Sequence, residues 1–449
     1  MNFKYKIQSQ RVLAYFIALA ILPSCEDILE LEPAQSISNE LALSDDESVK
    51  QALIGAYDNL STSGLFGGEV LRNSELYAGD GQLNWLGTFT APREIFQRNI
   101  LSSNGDVNDF WVDAYATINA CNAVLNALDV VIEEDKAQIE GEAKCLRGLC
   151  YFELTKYFGQ QYETSTLSNL AAPIVLTPTM SFDESTFVSR NTVTECYAQV
   201  ISDLTSAESL LPEDNGFFCD KQVAAAILAR VYLQMEDYAN ARDAADRVIS
   251  SGNYDLVSVY ADCFGQDENT EEDIFALQVS EQDGSNAMNT YFATNTNGGR
   301  GDIEILEAHL ALYDTADVRF DLFYEQGGTM FCGKFNNEFG NLPIIRLAEM
   351  YLVRAECNER LGTSVGASPL DDYNIVHTRA GMAEAGSVTL DDILFERHLE
   401  IAFEGQRLWD VKRLKGTVAT MNYNDPKLVF PIPQAEIEVN PNLVQNEGY

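Results

Sequence analysis

The sequence is short of basic residues and of histidine. Its 449 residues hold 29 Lys and Arg against 69 Asp and Glu, which gives a formal net charge of −40. Binding to a phosphate backbone depends on clustered Lys and Arg, so this balance argues against nucleic acid and other polyanions as partners. The three histidines, His309, His377 and His398, are too few for a histidine-rich metal centre, and no metal site is expected.

Long apolar runs are also missing. The apolar-rich stretch 12–22 has 11 residues, whereas a helix needs about 20 to cross a bilayer, and no later segment reaches that length without a charge. Lys4, Lys6 and Arg11 precede the stretch and the small Ser24 follows it, as in a secretory signal peptide. We therefore expect export, and we expect no transmembrane helix in the mature protein.

The predicted signal peptide ends at a cysteine. The tetrapeptide LPSC at 22–25 resembles the lipobox at which bacterial lipoproteins are cleaved and lipidated. The resemblance implies a signal peptide over 1–24, lipidation of Cys25 and a tether over 25–38. Glu26 and Asp27 resemble the acidic tags that send some outer-membrane lipoproteins to the cell surface. The alternative is an ordinary signal peptide with a chance cysteine.

Export also bears on the other cysteines. An oxidising compartment permits disulfides, but no CxxC motif occurs, and most of these residues lie in helical apolar patterns, where cysteine is commonly a small buried hydrophobe. We expect mostly free, buried thiols. A zinc site is not expected, because thiolate ligands come in close pairs or with histidine. The eight residues are Cys121, Cys145, Cys150, Cys196, Cys219, Cys263, Cys332 and Cys357.

Apolar residues recur at helical spacing through most of the chain. In 45–60, Val49, Leu53 and Leu60 share one helix face, and Ser44 or Asp45 is available as the N-cap. This pattern predicts a mostly α fold of antiparallel helix pairs in a single domain over 39–449. Stretches rich in Gly, Asn, Ser and Thr, at 61–106, 252–275 and 281–303, predict loops with short strands at most. The other helical stripes are at 108–131, 136–158, 192–211, 220–235, 238–251, 343–361, 369–380 and 389–414.

One helix pair has the spacing of a known repeat. In 223–249, the small residues Ala229, Ala241 and Ala245 and the aromatic residues Tyr232 and Tyr238 fall at tetratricopeptide offsets. The small residues let two helices approach, and the tyrosines are expected to pack in the core between them. Such a repeat buries its apolar face only against neighbours, so several units should pack together.

Three C-terminal segments resemble one family. Residues 343–356, PIIRLAEMYLVRAE, closely resemble the RLAExYLxRAE helix of the SusD/RagB nutrient-uptake lipoproteins. Residues 396–413, ERHLEIAFEGQRLWDVKR, resemble the family's ERRxExAFEGxRxxDLxR helix, and 431–449 resemble its PIPxxE and NPNLxQNPGY ending. With the lipobox and the repeat, the resemblance covers nearly the whole mature chain and implies a SusD-like fold with tetratricopeptide-type pairs as its scaffold.

The resemblance also implies a function. The protein would be a surface-exposed outer-membrane lipoprotein that captures an oligomeric nutrient, most simply a glycan, and passes it to a SusC-like TonB-dependent transporter. It would need no cofactor, because the transporter supplies the energy. A peptide ligand is the first alternative, a non-catalytic repeat scaffold that binds only protein is the second, and a surface hydrolase is the third.

Acidic and basic residues of the C-terminal motif suggest a structural role. Glu396, Glu400 and Glu404 recur every fourth residue, so they would share one helix face. They could pair with the interleaved Arg397, Arg407 and Arg413, or with Arg346 or Arg354 of another helix. A glycosidase needs two selected carboxylates, and nothing among 69 acids selects a pair. Nucleophile-elbow, P-loop and zincin motifs are missing as well. We therefore expect no enzyme activity.

Candidate ligand contacts lie in two of the polar stretches. Trp85 is a large aromatic residue in a polar segment, where its ring is expected to stack on a sugar or, alternatively, to anchor the loop by packing. The stacking hypothesis implies that its loss weakens binding and scarcely changes stability. Neighbours that could complete a polar platform are Tyr77, Asp80, Asn84 and Arg93, and a second group is Tyr291, Phe292 and Arg300.

The predicted anchor is testable by replacing its acceptor atom. Cys25→Ala should abolish lipid labelling and leave an uncleaved or soluble precursor, because thioether formation has no other acceptor at that position. Metabolic labelling with a radioactive fatty acid measures this directly. Label incorporated into the variant would contradict the lipoprotein hypothesis.

Overall fold

The computed structural model describes residues 43–79, 81–163, 168–180, 184–282 and 284–449, and most of its regular elements are helices. Most of them lie within a few residues of the predicted stripes, which confirms the mostly α fold. The helices are α1 (Asp46–Leu60), α2 (Glu69–Ala78), α3 (Thr90–Phe96), α4 (Gly105–Asn126), α5 (Lys136–Phe158), α6 (Val193–Leu210), α7 (Lys221–Gln234), α8 (Tyr238–Ser251), α9 (Ala287–Phe292), α10 (Glu307–Leu310), α11 (Leu347–Leu361), α12 (Pro369–Arg379), α13 (Leu390–Glu400), α14 (Arg407–Arg413) and α15 (Gln434–Val439).

Polar side chains fix where several helices begin. Asp45 is the N-cap of α1, as one of the two predicted options, and forms a capping box with Ser48. Thr192 and Glu195 form the same reciprocal pair at the start of α6. Each box satisfies backbone N–H groups that the first helical turn leaves without a partner, so these boundaries follow from local sequence.

The long helices pack in chain order. α4 contacts α1 and α5, and the series continues through α6, α7 and α8 to α11. Gly148 of α5 faces Leu204 of α6, and an added Cβ would lie 3.0 Å from the leucine Cγ, so glycine allows this close approach. The predicted repeat is α7 and α8, in which Ala229, Ala241 and Ala245 are fully buried. Its two tyrosines are only half-buried.

In the described part of the chain, short antiparallel strands form four two-stranded ribbons. The ribbon of β2 and β6 corrects the prediction of one helix over 343–361, because 342–346 is a buried strand that runs directly into α11. The strands are β1 (Leu83–Trp85), β2 (Asp273–Leu277), β3 (Ile303–Ile305), β4 (Phe323–Gln326), β5 (Thr329–Cys332), β6 (Leu342–Arg346), β7 (Thr417–Val418) and β8 (Met421–Asn422), paired as β1 with β3, β2 with β6, β4 with β5 and β7 with β8.

The stretch 61–106 is not a simple loop, contrary to the prediction. It contains α2 and α3, and α2 is buried on every side although it carries Arg72, Asn73, Ser74 and Glu75. These polar residues have partners inside the protein. Because polar residues interrupt its apolar pattern, the sequence does not reveal this segment as a helix buried on every side.

The predicted helix over 389–414 is also two helices. The chain leaves helical conformation between α13 and α14, where Phe403 and Gly405 have φ values of 67° and 79°. Gly405 lies against Leu71 of α2, where a Cβ would collide with the leucine backbone. Its N–H donates to Glu75 Oε1 at 2.9 Å. The break therefore lets the C-terminal motif pack on α2.

Buried ion pairs join the C-terminal motif to the rest of the fold, as expected. Arg346 contacts Glu272, Glu400 and Glu404, and its guanidinium is almost fully buried. Burial alone raises the pKa of Glu400, but nearby arginines outweigh burial and hold it at about 2. The predicted pairing of Glu400 and Glu404 with Arg346 is confirmed, although Glu404 lies beyond the end of the helix.

Arg407 is not the paired arginine of this motif. Its nearest recorded side-chain partner is His398 Nδ1, at 3.3 Å from Nη1. Arg413 takes the predicted role, with salt bridges to Glu356 at 2.6 Å and Asp410 at 2.7 Å. Glu396, Glu400 and Glu404 pair with other cations, so the hypothesis for Arg407 is wrong.

The eight cysteines outside the signal region are all buried with free thiols, as expected. Among the described residues, no helix combines the length and the apolar character needed to cross a membrane. Cys25, the tether and the signal peptide lie outside the described residues. Residues 45–449 form one compact unit.

The ion pairs predict unequal costs for two neighbouring arginines. Arg413→Ala should lower the free energy of unfolding by about 3–5 kcal/mol, because it breaks buried salt bridges to both Glu356 and Asp410, which then keep only Arg360 and Arg397 as partners. Arg407→Ala is the matched control and should cost clearly less, since within the described residues it breaks no salt bridge. Denaturant unfolding of both variants measures the difference, and equal costs would contradict the assigned pairing.

Candidate functional site

The ribbon of β1 and β3 brings the two predicted groups of ligand contacts together. Trp85 lies opposite Ile303 in the antiparallel register, and the N–H of Leu86 donates to Asp302 O at 2.8 Å. The segment after β1 and the segment before β3 therefore leave the same end of the ribbon. These segments, 86–90 and 293–302, form the candidate site.

Three aromatic rings meet at this end of the ribbon. The Trp85 and Tyr291 centroids are 5.9 Å apart, and Phe89 meets Tyr291 edge-on at 6.3 Å. Phe89 is 45% exposed, whereas Trp85 and Tyr291 are each 8% exposed. Phe89 is therefore the ring that is open to solvent, and the other two are buried beside it.

An arginine stacks on each side of this aromatic layer. The Arg300 guanidinium carbon lies 4.3 Å from the Phe89 centroid, and that of Arg72 lies 4.1 Å from the Tyr291 centroid. Arg300 is partly exposed and pairs with Asp302 at 2.8 Å. Its Nη2 also donates to Thr88 Oγ1 at 3.3 Å. Cation–π contacts of this kind hold the rings, and among the described residues Arg300 Nη1 has no hydrogen-bond acceptor.

The inner arginine is tied to an acidic residue of its own helix and to one of a neighbouring helix. Arg72 is fully buried, forms a salt bridge with Asp106 and lies 3.6 Å from Glu69. Burial raises the pKa of Glu69 to about 7, although Arg72 acts in the opposite direction. Arg72 thus fixes Tyr291 from below and connects the site to α2 and α4.

Two further residues shape the segment that carries Phe89. A Cβ on Gly87 would collide with the Trp85 indole and with Asp302, so only glycine allows the chain to cross here. Arg93 Nη2 donates to Thr88 O at 2.6 Å. Arg93 therefore holds the Phe89 segment, a role different from the predicted polar platform.

The structure separates the other predicted contacts. Asn84 lies on the opposite face of β1 from Trp85 and donates to Glu304 of β3 at 3.1 Å. Tyr77 is fully buried, and its hydroxyl donates to Lys427 O. Phe292 is also fully buried, against Phe335. Tyr77 and Phe292 offer no face to a ligand and are corrected to core residues, while Asp80 lies outside the described residues.

Trp85 requires a correction of its own. Its ring is an inner part of the cluster and not an exposed stacking face, which matches the alternative that it anchors the loop. Within the described part of the chain, its indole N–H has no hydrogen-bond acceptor. Phe89 was not selected from the sequence. It is, like Trp85, a large aromatic residue in the same polar segment, between Gly87 and Pro92, and the same reasoning could have found it.

A small cavity of about 20 Å³ lies beside the start of β1. Gln82 Oε1 is 3.1 Å from His309 Nδ1 and 3.1 Å from His398 Nε2, and Arg407 and Glu75 are among the other polar residues that line it. Burial, with nearby cations, lowers the pKa of both histidines to about 3. Burial also raises the pKa of Glu75 to about 7. Two neutral histidines therefore hydrogen-bond with Gln82, which directly precedes β1.

Family models identify the chain. A model described as starch-binding and associating with the outer membrane matches 27–233, and the model of the SusD family matches 333–429. Together they cover more than half of the sequence. The chain belongs to the SusD/RagB family. The resemblance seen in the C-terminal motifs is thereby confirmed.

Relatives and solved structures of the SusD type align along most of this chain. SusD-like protein P2 from Formosa agariphila is 26% identical over 99% of this chain and 100% of its own length. A SusD superfamily structure from Bacteroides thetaiotaomicron has a TM-score of 0.81 and 26% identity, covering 90% of this chain and 99% of its own. The starch-binding protein SusD from the same species is 33% identical over 24% of this chain and 22% of its own length.

The neutral histidines of this SusD family member predict a pH effect. Their pKa is about 3 in the folded chain and about 6.5 in the unfolded chain. Each histidine therefore contributes stability that is complete above pH 6.5 and is lost as pH falls towards 3. At about pH 5 the loss is about 2 kcal/mol per histidine.

The variant His398→Asn isolates this effect. Between about pH 7.5 and about pH 5, the unfolding free energy of wild type should fall relative to that of the variant by about 2 kcal/mol. Protonation of Glu75 changes the unfolding free energy in the opposite direction as pH falls. Because Glu75 is present in both proteins, its contribution cancels in the difference between their unfolding free energies. A pH-independent difference would show that His398 is not held neutral by the fold.

Proposed function

We propose that this SusD/RagB protein is a surface-exposed, non-enzymatic lipoprotein of the outer membrane that binds an oligomeric glycan and passes it to a SusC-like TonB-dependent transporter. Residues 1–24 are the signal peptide, Cys25 carries the lipid, 25–38 form the tether, and 39–449 form the binding domain. Family membership and the family model's description of starch binding support the glycan as the ligand class.

One observation carries the assignment of the binding site. Phe89 presents an exposed ring whose partner Arg300 stands beside it with a free guanidinium edge. A sugar ring offers an apolar C–H face to an aromatic ring and hydroxyl acceptors to N–H donors, and this pair supplies both. Trp85 and Tyr291 hold the pair rigidly from beneath.

The charge of the chain supports a neutral ligand. Cleavage after residue 24 removes Lys4, Lys6 and Arg11 and no acidic residue, so the mature chain is more acidic than the precursor. At the site itself, Asp302 neutralises Arg300 at 2.8 Å. A polyanionic glycan would be repelled by the protein as a whole and would find little compensation at the site.

The ion pairs and hydrogen bonds of the carboxylates in the C-terminal motif and near the site support a binding role over catalysis. Glu396, Glu400 and Glu404 are buried and each pairs with a cation, which holds them as structural anions. Close to the site, Asp302 pairs with Arg300 and Glu304 accepts from Asn84. A glycosidase needs two carboxyl groups that flank the scissile bond, whereas each of these two acids is engaged by a side chain of the protein itself.

The binding site is tested by Phe89→Ala. Affinity for malto-oligosaccharides should fall by about 1–3 kcal/mol, roughly ten- to a hundredfold, through the loss of ring contact and apolar burial. The melting temperature should change little, because nearly half of the ring is already exposed. Calorimetric titration and thermal melting of one preparation measure both quantities.

A matched control is Phe395→Ala, which removes another ring that is 45% exposed, from α13. It should leave affinity unchanged. Trp85→Ala should reduce both stability and affinity, since its ring supports the site from within. If wild type binds short peptides and no member of a panel of oligosaccharides, the glycan assignment fails and the ligand is a peptide.

A further inference from the structure

A second cavity lies on the helical scaffold, between the segment that leads into α7 and strand β2. Its volume is about 280 Å³, close to the lower limit of about 300 Å³ for sites that hold a small molecule. Its lining comes from the segments 213–220, 253–254 and 269–276. None of these residues belongs to the candidate glycan site, so this cavity is a separate feature of the surface.

The charges that line this cavity are all of one sign. Among the described residues, its charged lining consists of Glu213, Asp214, Asp220 and Asp273, with no Lys, Arg or His. Three of these acids have partners in the protein. Glu213 pairs with Lys221 at 2.5 Å, Asp220 is the N-cap of α7, and Asp214 accepts from the N–H of Gly216 at 3.0 Å. A cavity lined by one sign of charge attracts the opposite sign.

One carboxylate oxygen of the lining has no partner. Asp273 is 6% exposed, and its Oδ2 accepts from Thr270 N at 2.8 Å and from Thr270 Oγ1 at 2.9 Å. Its Oδ1 is buried and receives no hydrogen bond from any part of the chain that the structure describes. A buried polar atom without a partner is rare in folded proteins and costs free energy. A ligand that brings a donor or a cation to Oδ1 would recover that cost.

A nearby cation is engaged elsewhere. Asp273 lies opposite Arg346 in the register of β2 and β6, but the Arg346 guanidinium is held by Glu272, Glu400 and Glu404. Burial raises the pKa of Asp273 to about 6, and this effect outweighs those of its hydrogen bonds and of Arg346. The protein therefore compensates the charge of this carboxylate only in part.

Aromatic rings supply another part of the lining. Phe217 lines the cavity although it is 58% exposed, and Tyr254 and Phe275 line it as well. The N–H of Phe218 donates to Asn215 O at 3.2 Å, which fixes the turn that carries Phe217. An aromatic face attracts an ammonium group by a cation–π contact. Acids and aromatic rings together therefore favour a cationic ligand over a neutral one.

The acids of the cavity do not gather at one point. Within the described ranges, no three Asp, Glu, His or Cys side chains lie close enough together to hold a metal ion. A metal ion such as Ca²⁺ needs several oxygen ligands around it, whereas an ammonium group is held by one carboxylate with an aromatic face beside it. The arrangement therefore suits an organic ammonium ion.

We propose that this cavity is a second ligand site, which binds a small molecule with a primary ammonium group, such as an amino sugar. Asp273 Oδ1 accepts from the ammonium group, and Phe217 supplies the aromatic face at the opening. The amides of Asn253 and Asn269 also line the cavity and are available to hydroxyl groups of the ligand. Phe89 and Arg300 take no part, so the two sites can be tested independently.

Titration calorimetry of the full-length protein with glucosamine tests this site. The measurement is made near neutral pH and at physiological salt, which screens loose attraction to the acidic surface. We expect saturable binding at one site per chain. N-acetylglucosamine has the same ring without the charged group, and it should bind roughly tenfold more weakly or worse.

Substitutions in the lining identify the contacts. Asp273→Asn removes the charge and keeps an oxygen for Thr270, so it should weaken glucosamine binding by roughly tenfold or more without lowering the melting temperature. Phe217→Ala removes a largely exposed ring and should weaken binding by about two- to fivefold. Asp321→Asn is the matched control, because Asp321 is an exposed acid outside the lining, and it should leave binding unchanged.

Three results would overturn the inference: no saturable binding of glucosamine, equal affinity of wild type for the two sugars, or equal affinity of wild type and Asp273→Asn for glucosamine. Phe89→Ala should bind glucosamine as wild type does, because the two sites share no residue. Loss of glucosamine binding in Phe89→Ala would assign this sugar to the glycan site and would also overturn the inference.

Discussion

The buried contact between the C-terminal motif and α2 is the interaction on which the rest of the structure depends. The chain breaks between α13 and α14 so that Gly405 fits against Leu71, and Glu75 of α2 accepts the N–H groups of Gly405 and Arg407. The same helix carries Arg72, which supports Tyr291 in the candidate site. A motif near the C-terminus and a site built from two distant segments therefore share one supporting helix.

Buried charge sets the character of this interior. Arg346 joins β6 to Glu272, Glu400 and Glu404, so a ribbon, a helix end and the break after α13 meet at one guanidinium. Desolvation makes such groups costly, and their net contribution to stability is small compared with the cost of removing one partner. We interpret them as devices that fix one arrangement of elements, because an alternative packing would leave a charge unpaired.

Helix positions followed from the sequence where a helix buries one apolar stripe and exposes the other side, as α1 and α8 do. The same reasoning failed for α2, whose polar residues are satisfied inside the protein, and for β6, whose apolar run is ambiguous between strand and buried helix. It also merged α13 and α14, since the charge spacing continues across the break. At the site, Trp85, Tyr291 and Arg300 were selected in two separate groups. These residues come together because β1 pairs with β3. The two strands are distant in sequence, so local patterns do not predict that pairing.

The central claim is that a glycan is bound where Phe89 and Arg300 stand together. The most direct measurement is a crystal structure of the protein with a bound malto-oligosaccharide. The account predicts one sugar ring parallel to the Phe89 ring, with a hydroxyl oxygen within hydrogen-bond distance of Arg300. A ligand bound at any other surface, with Phe89 and Arg300 exposed to solvent in the complex, would contradict it.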